Sequence, residues 1–371
     1  MTLSPSAVLI CALVSLSVGC QPPGSASEPV GPLAVHEQSV EGEIGSWART
    51  APLTYGQPLD NAVLLGNGEV LAQEGILAER YNPYTHTWRP AQPACTPSTC
   101  LTVPGGIDML RLPSDKVLAR VLLGFGRRAF FSFRTYDPET DTWTVVPGGY
   151  NTNRFNASMT LLDSGQVLFA GGFTYVGERF VALASAELYD PATGTWTLLP
   201  GTLNTPRGGH TATVLYSGQV LVTGGTSDNG PLASAELYNP TTRTWSPAGT
   251  MSRPRSGHLA LRLYSGNVMV LGDAAGSSTA VDMYDPYNAR WFQGPALPFA
   301  QPTTATLLYS GEVLVTSGSG QAAVYSPARN AWLPTASPSV ASSSRSAAVL
   351  LHTGQVLLMS GSEPVADRFT R

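Results

Sequence analysis

One eight-residue pattern recurs along most of the chain and constrains the fold more than any other feature of the sequence. It reads Tyr, Asp or Asn, Pro, any residue, Thr, any residue, Thr, Trp. Four full copies begin at Tyr81, Tyr136, Tyr189 and Tyr238, and two degraded copies begin at Tyr284 and Tyr325. The seven tryptophans form one series in steps of 41 to 55 residues, namely Trp47, Trp88, Trp143, Trp196, Trp245, Trp291 and Trp332. Such a period indicates one supersecondary unit repeated along the chain.

A second series runs in phase with the first. In each copy an apolar segment is followed by Ser-Gly-Gln, or a close variant, and then by Val, as in Ser217-Gly218-Gln219-Val220. The segment Asp115-Lys116-Val117 is its weak copy. This arrangement predicts two strands joined by a tight turn with glycine at the position that needs positive φ. The Asp-Pro or Asn-Pro step predicts a type I turn before another strand that opens at Trp.

The pairs Gly171-Gly172 and Gly224-Gly225 mark places where a strand stops and backbones can approach closely. Each unit of about 50 residues therefore holds four short strands, which we label a to d. Four strands with this period predict a propeller blade. The Gly-Gly, Tyr-Asp and Trp signature resembles the kelch repeat family over roughly residues 44–371, and the Trp-Asp endings of a WD40 propeller are absent.

The resemblance implies an all-β fold, a seven-bladed kelch-type β-propeller with four antiparallel strands per blade. The last unit supplies strands near Ala347–Leu351, Val356–Met359 and Ala366–Phe369, but the chain then stops before any Trp. Trp47 has the signature of a fourth strand with no strands before it. We therefore expect an N-terminal strand around Trp47 to complete the last blade and remove an open sheet edge.

The amino-acid composition supports the all-β prediction, and the net charge gives no support for some classes of partner. The chain of 371 residues contains 38 Gly and 30 Pro, which disfavour helix, and only 12% charged residues with 9% aromatics, which disfavours disorder. The formal net charge of -4 gives no indication of nucleic acid or an anionic membrane surface as a partner. We expect one propeller domain and a monomer.

The N-terminus resembles an export signal. The apolar run Ala7–Gly19 is too short to span a bilayer but fits the core of a signal peptide. Its end, Ser17-Val18-Gly19-Cys20, resembles a bacterial lipobox, although an ordinary secretory signal or a misplaced start codon remain alternatives. We predict a signal peptide at 1–20, a flexible tether at 21–43 and the propeller at 44–371. The expected location is the bacterial cell envelope, with lipidation at Cys20 anchoring the chain to the outer membrane or cell surface, and secretion otherwise.

Two further cysteines, Cys95 and Cys100, lie in Cys-Thr-Pro-Ser-Thr-Cys. In an oxidising compartment such a pair is expected to close a small disulfide loop. A metal pair is the alternative, but no second cysteine pair or nearby histidine accompanies it. We therefore predict no bound metal and no cofactor.

Alignment of the first strand of each unit places basic residues in two columns of units three to five. These residues are Arg154, Arg207, Arg255, His210 and His258. One interpretation is a cationic arc at the channel mouth that binds an acidic glycan or carboxylate through bidentate arginine contacts. The alternative is structural, because the same units carry an acidic column on strand c, formed by Glu187, Glu236 and Asp282.

In propellers of this kind the d–a and b–c loops share one face, and Phe173–Ala184 is a long b–c loop on that face. Long loops on a rigid scaffold are where binding residues usually lie. Because no complete catalytic set is visible, we predict a non-enzymatic binding or scaffold module that engages protein or glycan through this face. The alternative is a carbohydrate-active enzyme that uses the Arg, His and acid arc, of the sialic acid mutarotase kind or of the copper-dependent galactose oxidase kind.

Overall fold

The computed structural model describes residues 44–95, 107–124, 129–148, 151–273, 275–339, 343 and 346–371. These residues form 32 β-strands, with seven four-stranded antiparallel sheets and two short hairpins, and no helix occurs among them. No helix in this part of the chain thus has the length and apolar character needed to cross a bilayer. The predicted all-β, seven-bladed architecture is confirmed. The predicted boundaries at residues 20 and 43, and Cys20 and Cys100 themselves, lie outside the described residues.

The first three blades follow one another along the chain. Blade 1 consists of β2 (Asn61–Leu64), β3 (Val70–Glu74), β4 (Leu77–Asn82) and β5 (Thr87–Pro90). Blade 2 consists of β6 (Ile107–Arg111), β7 (Val117–Leu123), β8 (Phe130–Asp137) and β9 (Thr142–Val145). Blade 3 consists of β10 (Ser158–Leu161), β11 (Val167–Ala170), β14 (Ala186–Asp190) and β15 (Thr195–Leu198). Its b–c loop is the hairpin of β12 (Phe173–Val176) and β13 (Arg179–Ala182).

The next three blades repeat this order. Blade 4 consists of β16 (Thr211–Val214), β17 (Val220–Thr223), β20 (Ser234–Asn239) and β21 (Thr244–Thr250), with a small hairpin of β18 (Thr226–Ser227) and β19 (Gly230–Pro231). Blade 5 consists of β22 (Leu259–Arg262), β23 (Val268–Leu271), β24 (Val281–Asp285) and β25 (Arg290–Gln293). Blade 6 consists of β26 (Pro302–Leu307), β27 (Val313–Ser317), β28 (Ala322–Ser326) and β29 (Ala331–Pro334).

Blade 7 joins the two ends of the described chain. Its first three strands are β30 (Ala347–Leu350), β31 (Val356–Met359) and β32 (Ala366–Thr370), and its fourth is β1 (Ser46–Arg49). Trp47 lies opposite Phe369 in this pairing, with 5.1 Å between ring centroids. The seven a strands contact one another in sequence, and β30 contacts β2 to close the ring. The predicted closure by the N-terminal strand is therefore confirmed.

The repeated turn residues have direct structural roles. In six blades the a–b turn glycine has φ between 77° and 90°, and in the weak copy Asp115 takes the same place with φ 63°. In five c–d turns the Asp or Asn accepts the backbone N–H two residues later, at 2.9–3.0 Å. In the four full copies the two threonines share a hydrogen bond of 2.7–2.8 Å. The octapeptide is thus the c–d turn of each blade.

The Tyr and Trp of each octapeptide pair across strands c and d. Their ring centroids lie 4.8–5.4 Å apart in all six copies, and the tyrosines are buried between blades. Several Trp indoles also donate to a backbone carbonyl of the preceding blade, for example Trp291 Nε1 to Ala248 O at 2.7 Å. The hydrophobic core therefore lies between neighbouring sheets, and these tryptophans tie their blades to the preceding ones.

Candidate functional site

The three arginines of the predicted arc are buried inside the propeller. The exposed fraction is 4% for Arg154, 0% for Arg207 and 1% for Arg255. In blade 4, Arg207 Nη2 lies 2.6 Å from Glu236 Oε1, and its Nη1 donates to the carbonyls of Gly224 and Ser234 at 2.8 and 2.9 Å. Its guanidinium therefore binds a carboxylate and two backbone carbonyls of its own blade.

The same contacts recur in blades 3 and 5. Arg154 pairs with Glu187 at 2.9 Å and Arg255 pairs with Asp282 at 2.7 Å. Each acid also accepts a backbone N–H from the d–a segment that carries its arginine, as Glu187 does from Asn151 at 2.6 Å. Burial lowers the pKa of Arg154 and Arg207, and the adjacent carboxylate counteracts this by favouring the charged form.

The Gly-Gly pairs allow these arginine segments to dock on the preceding blade. Gly172 N donates to Arg207 O at 2.8 Å. A Cβ on Gly171, whose φ is 58°, would lie 2.3 Å from Arg207 O, so no other residue fits without movement. In the same way, a Cβ on Gly224 would lie 2.4 Å from Arg255 O. Each arginine segment therefore connects two blades, as the predicted close approach of backbones at these glycines requires.

The two histidines of the arc are also buried, with exposed fractions of 8% for His210 and 5% for His258. His210 Nε2 contacts Ser158 Oγ of the preceding blade at 3.0 Å. His258 Nε2 contacts Thr211 Oγ1 and Thr223 Oγ1, both at 2.9 Å. Burial, assisted by the nearby arginines, lowers the pKa of both histidines to about 3. Both imidazoles are therefore neutral near pH 7 and connect blades 3, 4 and 5.

These contacts favour the structural interpretation of the arc. The arginines are buried against acids and backbone carbonyls, and their charges are paired with carboxylates. The histidines are buried against hydroxyls and carry no charge near pH 7. A carboxylate ligand would have to displace these partners and enter a packed interface, which carries a large desolvation cost. We therefore do not assign Arg154, Arg207, Arg255, His210 and His258 to a binding site.

Acid should destabilise the propeller through the two histidines. Below pH 6.5 the unfolded chain binds a proton on each imidazole, whereas the folded chain does so only near pH 3. The free energy of unfolding therefore decreases as the pH falls from about 6.5 to about 3. The decrease is up to about 1.4 kcal/mol for each pH unit and for each of the two histidines. A His210→Gln/His258→Gln variant should lose melting temperature less steeply than the wild type between about pH 7 and pH 4. The exposed His352→Gln variant should follow the wild type, and equal slopes for all three proteins would contradict the expectation.

An aromatic cluster lies on the d–a and b–c loop face of blade 3, where the sequence predicts binding. We call it the hairpin patch; it consists of Phe155, Phe173, Tyr175, Val176 and Phe180. Phe180 stacks on Phe173 at 5.0 Å between centroids and contacts Tyr175 at 4.9 Å and Phe155 at 5.8 Å. Despite these contacts, the exposed fraction is 38% for Tyr175, 62% for Val176 and 45% for Phe180. The rings thus form a contiguous apolar surface.

The hairpin patch is held in place by the scaffold. Phe155 and Phe173 exchange two backbone hydrogen bonds of 2.8 and 2.7 Å, which connect the d–a segment to the b–c loop. The Phe173 ring packs on Gly208 of blade 4, where a Cβ would lie 2.3 Å from it. Ala182 N donates to Asp228 Oδ1 at 2.8 Å, which connects the hairpin to the shorter hairpin of blade 4. The patch is therefore pre-organised.

Comparison with known proteins agrees with this architecture. Residues 206–252, which span most of blade 4, match the kelch motif. The chain thus carries a kelch motif in blade 4 within its seven-bladed propeller. It is similar to a fungal alcohol oxidase of the AA5 family solved in complex with copper, at 14% identity and a TM-score of 0.69, covering 88% of this chain and 76% of that one. It is also similar to YjhT, at 12% identity and a TM-score of 0.54, covering 74% of this chain and 94% of that one. No curated protein matches the chain by sequence. At these identities the similarity shows the fold alone.

Among the residues that the structure describes, the candidate metal ligands do not fit a copper site. The described ranges contain no group of three or more His, Cys, Asp or Glu that could hold a metal ion. Both buried histidines direct Nε2 at hydroxyls of neighbouring strands, and the repeat tyrosines are packed on Trp. Cys100 lies outside the described residues, so the disulfide between Cys95 and Cys100 stays a prediction. We derive no step through copper.

Proposed function

We propose that this kelch propeller is a non-enzymatic binding module of the bacterial cell envelope that engages a protein partner through the hairpin patch. The observation that carries the proposal is the exposure of a ring cluster whose backbone the scaffold fixes. Exposed contiguous apolar surface on a rigid domain typically marks a protein interface. The envelope location rests on the apolar run Ala7–Gly19 and on Cys20.

The chemistry of the patch favours a protein over a glycan. Its rings pack mainly on one another, and Val176 extends the apolar surface to the tip of the hairpin. A sugar would need hydroxyl or amide partners beside each ring, whereas an apolar side chain of a protein would be accommodated by the cluster directly. The exposed charges of Arg179 and Asp228 at its border provide the polar rim that protein interfaces usually show. Aromatic side chains are also those that dominate the free energy of protein binding.

Site-specific photo-cross-linking tests this proposal. Val176 would be replaced by p-benzoylphenylalanine in cells that normally produce the protein, and Thr241, exposed on the opposite face, would carry the same group as the matched control. We expect irradiation at position 176 to give a discrete adduct with a second protein, and a Phe180→Ser substitution to remove at least about nine-tenths of it, since an interface aromatic contributes about 2 kcal/mol. Position 241 should give no such adduct. No adduct at position 176, or an adduct insensitive to Phe180→Ser, would exclude the hairpin patch as the interface.

A further inference from the structure

A second aromatic surface lies on the opposite face of the propeller, formed by the a–b and c–d turns. Three successive blades place a tyrosine immediately before the Ser-Gly of the a–b turn, and blade 5 adds one in its c–d turn. We call these residues the tyrosine arc: Tyr216, Tyr264, Tyr287 and Tyr309. Their exposed fractions are 54%, 55%, 72% and 56%. The proposed protein interface on the hairpin side does not use this surface.

The rings of the tyrosine arc are held against the scaffold. Tyr264 packs on the turn glycine of the next blade, where a Cβ on Gly311 would lie 3.1 Å from the ring. Tyr309 packs in the same way on the turn of blade 7, where a Cβ on Gly354 would lie 3.6 Å from the ring. Tyr287 covers the a–b turn of its own blade, 2.9 Å from a Cβ placed on Gly266. The Arg262 guanidinium lies 3.9 Å from the centroid of Tyr216. Each ring thus has a support, and more than half of its side chain faces solvent.

The surroundings of the arc are polar, and neither sign of charge dominates them. A groove of about 510 Å³ beside Tyr264 is lined by the hydroxyls of Ser265, Ser310 and Ser326. Its two charged groups pair with each other, with Arg371 Nη2 donating to Glu312 Oε1 at 2.8 Å. A second groove, of about 560 Å³, is lined by Ser217, Gln219, Asn239 and Thr241 and carries one acid, Asp163. Neither groove presents an excess of positive charge that would recruit an anion.

We infer that the tyrosine arc binds an uncharged polysaccharide chain. A pyranose ring presents an apolar C–H face that stacks on a tyrosine and edge hydroxyls that bond to serine, glutamine and asparagine side chains. Three successive blades repeat the platform, so one extended chain can contact more than one ring. Tyrosine loses little rotamer entropy on binding, which suits a ligand held by repeated weak contacts. A surface on which neither sign of charge dominates favours an uncharged chain.

Titration calorimetry with defined oligosaccharides tests this inference. The probes are cellohexaose, chitohexaose and maltohexaose, with an oligogalacturonate as the anionic comparison. We expect at least one neutral hexasaccharide to bind, and Tyr264→Ala/Tyr309→Ala to weaken that binding about tenfold or more, at several-fold per stacked ring. Tyr264→Phe/Tyr309→Phe keeps the ring faces and should stay within about threefold of the wild type. Tyr55→Ala, at an exposed tyrosine outside both aromatic surfaces, should change nothing.

Four results would overturn the inference. They are the absence of binding by every neutral probe at millimolar concentration, binding of the anionic probe alone, affinity that the alanine pair leaves unchanged, and an equal loss in the phenylalanine pair. The tyrosines are mostly exposed, so unaltered melting temperatures of the variants would establish that any lost affinity is not lost folding. Since cross-linking at position 176 concerns the other face, either proposal can fail while the other stands.

Discussion

Replacing Arg207 by alanine should lower the free energy of unfolding by about 3–5 kcal/mol, one of the largest effects available in this chain. The side chain is fully buried, and its removal leaves the Glu236 carboxylate in the interior without its cation. The carbonyls of Gly224 and Ser234 lose their donor in the same step. Chemical denaturation followed by Trp fluorescence measures the change.

Matched variants separate the ion pair from general packing. Arg207→Lys keeps the charge but loses the planar fork of donors, so it should fall between alanine and wild type. Glu236→Gln should also destabilise, because it leaves the guanidinium buried beside a neutral partner. Arg179→Ala, on an exposed strand of the blade 3 hairpin, should change stability by less than about 0.5 kcal/mol. An Arg207→Ala protein as stable as Arg179→Ala would contradict the structural role of the arginine column.

Removal of residues 1–50 should abolish the stable monomer. The deletion takes away β1, leaves the edge of β32 unpaired and removes the hydrogen-bonded link between the two ends of the ring. An unpaired strand edge is a template for association, so we expect aggregates or mixed oligomers in place of one species. Size-exclusion chromatography with light scattering distinguishes these outcomes.

A point substitution at Trp47 tests the contribution of β1 to stability without removing the strand. Trp47 is half-buried, stacks on Phe369 and donates from Nε1 to Ala336 O at 2.7 Å. Trp47→Ala should therefore lower the free energy of unfolding by about 2–3 kcal/mol, somewhat below the usual cost for a fully buried aromatic. Leu198→Ala, at a half-exposed site on the outer strand of blade 3, is the matched control and should cost far less. A truncated protein that remains a monomer with native stability would refute closure by the N-terminal strand.

The parts of the fold predicted from the sequence are those in which local chemistry repeats. The sequence predicts turns at Gly218 and its equivalents because few residues other than glycine adopt a positive φ, and the structure places six such glycines in turns. The sequence places Trp47 in the last blade because no strands a to c precede it and the last unit lacks its fourth strand. The Arg–acid pairs were visible as a co-occurrence, since Arg207 and Glu236 belong to one blade and recur together.

The hairpin patch could not be predicted in the same way. The sequence indicates only a long b–c loop at Phe173–Ala184 and nothing at Phe155, because one blade alone carries these residues and no repeat reveals their arrangement. The position of the Phe173 ring depends on the space at Gly208, in the next blade, and on pairing with Phe155. The tyrosine arc escapes prediction for another reason: Tyr216, Tyr264 and Tyr309 each end an apolar segment in the sequence, and only the structure shows that their rings are exposed at the turns.

Covalent labelling of aromatic side chains in intact cells and in purified protein tests the central claim most directly. The claim is that a protein partner covers the hairpin patch while the buried arginines and histidines only hold the blades together. We predict that Tyr175 and Phe180 react with hydroxyl radicals in the purified protein and are protected at least several-fold in the cell. Leu198, half-exposed on the outer edge of the same blade, should react equally in both. Equal labelling of Tyr175 and Phe180 in the two settings would contradict the account.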